Sequence, residues 1–228
     1  MRLSGSAGVP PARFGNHLVL VLLLVSVSAA AADYKLQKNV ALPDGAPSAA
    51  KELVQPQGIR VLDDSGAPYA EIWLAKSLPA EAKPLAGEVQ YSGIPEGSFL
   101  GLWRFVAAAS DYRGQSIKPS LYSMRYELMP SDGNHLGAAQ FRDFLLLLPA
   151  DADSNPTARL KFEDAAGLSR KASGTGHPAV FPLFGPEKLS DATIAKAEDG
   201  SWVLKVNIPT KAGGAIPVSV VVFGRSEH

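Results

Sequence analysis

The sequence predicts a mostly β protein: an antiparallel β-sandwich, jelly-roll-like or immunoglobulin-like, with one inserted α-helix. Three observations predict it. From Gly58 onward, short apolar runs follow one another, separated by Gly, Pro, Asp and Asn. Several of these runs alternate apolar and polar residues at a period of two, as a half-buried strand does. A single stretch near 157–172 has helical spacing instead, and no βαβ alternation surrounds it.

The elements follow in chain order. Residues 1–32 have the parts of an export signal: Arg2 and Arg13 as a positive start, the apolar run Leu18 to Val27, and small side chains from Ala29 to Ala32. The run is shorter than the ~20 residues a helix needs to cross a bilayer. The expected address is therefore the periplasm or the outside of the cell, with no membrane span in the mature chain. Residues 33–57, rich in Ala, Pro, Lys and Gln, read as a poorly ordered leader or spacer with one short strand near Tyr34 to Val40. Residues 58–228 read as a single sandwich domain.

Within it, Ile59 to Leu62 is a strand closed by the turn Asp63-Asp64-Ser65-Gly66. Tyr69 to Lys76 follows, with Ile72 and Leu74 on one face and Tyr69, Glu71 and Trp73 on the other. Ser98 to Val106 is apolar on both faces and reads as a strand covered on both sides. Leu121 to Leu128 puts Tyr122, Met124, Tyr126 and Leu128 inward and Ser123, Arg125 and Glu127 outward. Phe141 to Leu148, with its four leucines, suits a central strand or a short helix. Asn155 as cap and Pro156 in the first turn would start the helix, and Gly174 would stop it. Trp202 to Ile208 and Val218 to Phe223 are the last strands.

Composition bounds the function. The chain has 228 residues and no cysteine, which excludes disulfides, thiolate metal sites and a cysteine nucleophile. Its 22 basic and 22 acidic residues balance, and the signal holds two of the basic ones, so the mature chain is near neutral. Nucleic acid is not an expected partner. No nucleophile elbow, zincin helix, phosphate loop or dinucleotide fingerprint is present. The Gly-rich string Ser173-Gly-Thr-Gly-His177 follows a helix rather than preceding one, so it reads as a connection.

Candidate site residues fall into two groups. Asp132, His135, Asp143 and His177 could form a mixed nitrogen and oxygen site for zinc or another divalent metal if their loops meet at one end of the sandwich. Tyr69 and Trp73 could present an aromatic strip to a sugar, or form a second core layer under the leader or the helix. Arg113 and Arg142 offer planar donors to a carboxylate or a sugar hydroxyl, or brace loops by pairing with Asp143 or Asp111.

Arg113-Gly-Gln-Ser-Ile-Lys-Pro-Ser-Leu-Tyr122, Met124-Arg-Tyr126, Asp132-Gly-Asn-His135-Leu-Gly137, Arg142-Asp-Phe144 and Ser169-Arg-Lys-Ala-Ser-Gly174 together carry a resemblance. They resemble a group of uncharacterised secreted bacterial proteins, a likeness that implies no activity. Ile117-Lys-Pro-x-x-Tyr122 also resembles the strand entry of transthyretin-like and peptidase-regulatory β-sandwich modules, with Ser120 where that turn has glycine.

The expected function is an exported, non-catalytic binding or interaction module of unknown ligand, with a glycan or an envelope protein as candidate partner and no cofactor. The alternatives are a metal-binding protein or metal-dependent enzyme built on the Asp/His cluster, and a structural envelope component.

Overall fold

The computed structural model describes Met1 and residues 33–80, 87–130 and 140–225. The signal-like stretch 2–32, together with Asp132 and His135, lies outside the described residues.

Residues 32–228 form one compact unit. Its elements are β1 (Lys35–Ala41), α1 (Ser48–Lys51), β2 (Gln57–Leu62), β3 (Pro68–Leu74), β4 (Phe99–Phe105), β5 (Ala109–Ser110), β6 (Ser116–Ile117), β7 (Ser120–Leu128), β8 (Asp143–Pro149), α2 (Phe162–Ser173), β9 (Val180–Phe184), β10 (Thr193–Lys196), β11 (Trp202–Pro209) and β12 (Ala215–Phe223). The mostly β, antiparallel class with an inserted helix is what the chain adopts. Ten strands, however, are hydrogen-bonded in one sheet rather than divided between two. Its order is β1-β2-β3-β4-β7-β8-β9-β12-β11-β10, and it curls nearly into a barrel. β5 and β6 make a separate ribbon.

Bulges let the sheet bend this far. The register shifts within β1, where Asn39 has φ 62°, and between Phe99 and Gly101 on β4. Gly101, at φ 147°, lies so close to β3 that a Cβ there would sit 2.2 Å from the Trp73 carbonyl oxygen. Where the sheet ends approach each other, Tyr34 stacks 5.5 Å from Trp202 and 5.1 Å from Phe223. Lys38 of β1 forms an ion pair with Asp191, just before β10.

Alternation along the strands fills the interior. Register places Ile72 opposite Trp103, Trp103 opposite Tyr122, and Met124 opposite Leu147. These residues join Phe181, Leu204, Val206 and Val220 in one buried cluster. Trp103 packs 4.9 Å from Phe181 and 5.4 Å from Phe105, so aromatic rings bridge the lumen.

The outer face of the central strands is also buried, by two covers. Residues 42–54, including α1, lay Ala46, Ala50 and Val54 over Trp73, Phe99 and Leu102. The stretch expected to be a loose leader is thus folded, because β1 pairs with β2 over six positions and its continuation buries apolar groups. The second cover is α2, whose Ala165 and Ala166 pack on Phe144, Leu146 and Leu148. This explains why β8 reads as an unbroken leucine run: Leu145 and Leu147 face the lumen, Leu146 and Leu148 the helix.

α2 ends where expected, at Gly174 in the left-handed region with φ 66°. It starts later than Asn155-Pro156 suggests, with Lys161 as N-cap. Glu163 and Asp164 in its first turn and Arg170 and Lys171 in its last suit the helix dipole.

Candidate functional site

The residues singled out in the sequence are held in different places. Tyr69 and Trp73 are 9% and 0% exposed, so they form no surface strip. Tyr69 packs edge-on to Tyr34 and Phe105, and Trp73 donates its indole N–H to the Val40 carbonyl at 3.0 Å. The two do not share a face as the alternation of β3 suggests: Trp73 lies under Val40 and the α1 segment, whereas Tyr69 joins Ile72 and Leu74 in the inner cluster.

Asp143 is buried and fully engaged. Its Oδ1 accepts from the Tyr91 backbone N–H at 2.9 Å and from the Tyr126 hydroxyl at 2.6 Å; its Oδ2 accepts from the Gln90 N–H at 2.7 Å. The carboxylate thus pins residues 90–91, before β4, to β7 and β8. Burial and that hydrogen bond push the Tyr126 hydroxyl well above its ordinary range. His177 is exposed and enters the hydrogen bonding through its backbone, with Ser173 and Thr175. Among the described residues, no three His, Asp or Glu side chains gather closely enough to hold a metal.

Arg142 braces rather than reaches outward: its Nε and Nη2 both donate to the Met129 carbonyl, at 2.9 and 2.7 Å. Arg113 is exposed, and its backbone N–H donates to Asp111. Asp111 is buried and ties its own loop to β9, accepting from Gln115 and from the Val180 N–H. The expected Arg–Asp bracing between these segments is therefore made by carboxylates on backbone donors.

Three charged residues at alternating strand positions, of which the sequence predicts Arg125 and Glu127 to face outward, are buried. Glu71, 1% exposed, lies between Arg60 of β2 and Arg104 of β4 and pairs with both. All three occupy one cross-strand row, since Arg60 is opposite Glu71 and Glu71 opposite Arg104. Arg125 of β7 holds Asp153, and neither side chain is exposed beyond 1%. Glu127, on the same strand face, is 0% exposed. A strand that alternates Tyr-Ser-Met-Arg-Tyr-Glu looks half-solvated; only the arrival of the 150–173 segment over its outer polar face buries it.

One cleft stands beside the Arg125–Asp153 pair, with a volume of about 340 Å3. Its walls come from Glu52 and Leu53 after α1, the 75–79 stretch after β3, Ser98 and Phe99 at the start of β4, residues 156–159 before α2, and Lys211 after β11. Backbone bonds fix each wall. Lys76 N–H donates to Leu53 at 2.7 Å, Leu78 N–H to Pro209 at 2.8 Å, and Lys211 N–H to Leu78 at 2.9 Å. Arg125 holds the fourth wall from below, donating to the carbonyls of Gly97, Ala158 and Asn155.

No protein-family model, curated protein or solved structure matches this chain.

The chemistry of the cleft therefore rests on its own residues. Lys76, Arg159 and Lys211 bring three cations against one carboxylate, Glu52. Lys76 Nζ donates to the Glu52 carbonyl at 2.8 Å and Arg159 Nε to the Glu96 carbonyl at 3.0 Å, each with donors to spare. Phe99, Leu53, Pro79 and Pro156 supply apolar surface between them. Sequence reasoning missed this site, because its cations come from three segments distant in the chain and none carries a local motif.

Proposed function

We propose that this protein is an exported, non-catalytic binding module whose ligand is a small amphipathic carboxylate, taken up in the periplasm or outside the cell. The observation that carries the reading is that the exposed cations Lys76, Arg159 and Lys211 line one cleft together with Phe99, Leu53 and Pro156. A volume of about 340 Å3 is at the lower end of ligand sites, which run from roughly 300 to 1,000 Å3. An anion there would gain from two or three unshared cations, while its apolar body would lie on Phe99, Leu53 and Pro156. The fixed walls favour a preformed site, which reduces the ordering cost of binding.

Octanoate, octan-1-ol and octylammonium test the assignment, added to the full chain while backbone amide shifts are followed. Octanoate is expected to move the amides of Ala75, Ala158 and Lys211, and Lys211→Glu to weaken it about tenfold or more, a loss of ~1.4 kcal/mol. Equal binding of the alcohol or the amine, or no shift at those amides with octanoate, would overturn the reading.

A further inference from the structure

The outward row of β7 contains an imbalance. Arg125 uses all five of its N–H groups: two on Asp153, and one each on the carbonyls of Gly97, Ala158 and Asn155. Glu127 stands two residues away on the same strand face and receives none of them. Among the described residues neither of its carboxyl oxygens has a hydrogen-bond partner, and the residue is 0% exposed. Its cross-strand neighbour is Phe144, which lies under α2.

Four charged groups reach Glu127 from the elements around it. Glu96 comes from the segment before β4, Glu163 from the first turn of α2, Arg159 from the cleft wall, and Arg125 from its own strand. The two acids oppose its ionisation and the two cations favour it, but burial dominates and pushes the carboxyl from its ordinary 4.5 up to about 7. One arginine thus stands on the same strand face as a second buried carboxyl group, and its hydrogen bonds commit it to Asp153 alone.

We propose that Glu127 is a proton-operated latch on the 153–160 wall of the cleft. Protonated, it sits beside Phe144 as a neutral group and leaves Arg125 wholly to Asp153 and the three carbonyls. When the proton leaves to solvent, the new carboxylate competes with Asp153 for the guanidinium. Arg125 then loosens its hold on Asn155 and Ala158, and with them the wall that carries Arg159. Ligand release from the cleft at higher pH is a consequence that rests on the carboxylate-binding reading; the latch itself does not.

Hydrogen exchange in the full chain decides it, corrected for intrinsic base catalysis and run from pH 5 to 8. The amide of Leu160 is expected to open about tenfold more often at pH 8 than at pH 5, while that of Val220 in β12 stays constant. Glu127→Gln, which keeps the neutral form, is expected to abolish that pH dependence. The carboxyl carbon-13 shift of Glu127 in the unsubstituted protein should titrate near neutrality, a readout independent of whether the variant folds. A titration near 4.5, or the same pH-dependent opening in Glu127→Gln, would overturn the latch. Octanoate separates the two readings: no binding at any pH removes the ligand reading alone, whereas binding that weakens above pH 7 only in the unsubstituted protein supports both.

Discussion

Leu160 lies with its backbone directly on Gly97: a Cβ at Gly97 would sit 2.0 Å from the Leu160 carbonyl oxygen and 2.6 Å from its nitrogen. Gly97 also has φ 77°, in the left-handed region. Gly97→Ala is therefore expected to destabilise the protein by more than ~2 kcal/mol, combining backbone strain with displacement of the cleft wall. Gly167 is the control. It lies inside α2, where a Cβ meets nothing nearer than Arg170 Nη2 at 3.6 Å. Gly167→Ala should stabilise by about 0.5–1 kcal/mol. Urea unfolding of both variants checks the pair of signs.

The Arg125–Asp153 pair is bidentate, with Nε to Oδ2 at 2.9 Å and Nη2 to Oδ1 at 2.6 Å. Removing one partner leaves a buried charge alone, so Asp153→Ala should cost about 3–5 kcal/mol. Replacing both with apolar groups removes the desolvation penalty. The double variant Arg125→Met with Asp153→Leu is expected to recover part of that loss, short of full recovery because three carbonyls lose their donor. A double-mutant cycle in urea measures it.

Asp143 and His177, paired in the sequence as prospective metal ligands, should separate cleanly in stability. Asp143→Ala would leave two backbone N–H groups and the Tyr126 hydroxyl without their acceptor, a loss of about 3 kcal/mol or more. His177→Ala, at an exposed side chain, should stay within ~0.5 kcal/mol. Thermal unfolding of the two variants under one buffer gives the comparison.

Stability should also depend on pH in a defined direction. Glu127 binds its proton more tightly folded than unfolded, because burial raises its carboxyl to about 7. Its contribution is therefore fully present below about pH 4.5 and is lost as pH rises to about 7. The loss is up to about 3 kcal/mol, an upper bound because water entering with the charge would reduce it. Glu127→Gln should flatten the curve between pH 5 and 7, as denaturant midpoints across that range would reveal.

The fold class was legible because the strands carry their own pattern. Tyr122, Met124 and Tyr126 alternate and do face the lumen, and Trp202, Leu204, Val206 and Ile208 do the same on β11. β9 and β10 escaped notice because Pro182 interrupts one and only Ile194 and Ala195 mark the other. The site was not legible. Lys76, Arg159 and Lys211 have no shared local motif, and their approach depends on the bonds that join residue 78 to residues 209 and 211.

The amino-acid sequence by itself determined which residues of β7 and β11 face inward, where α2 stops, and that the protein stands on an apolar core without disulfides. These follow from local spacing, from Gly174 and from composition. Tertiary structure alone decided which polar groups are buried. Glu71, Arg125 and Glu127 alternate with apolar residues as solvent-facing positions do, and each lies outward on its strand. The outer surface of β7 is closed off by the 150–173 segment, and it is this burial that commits Arg125 to Asp153 and leaves Glu127 without a partner.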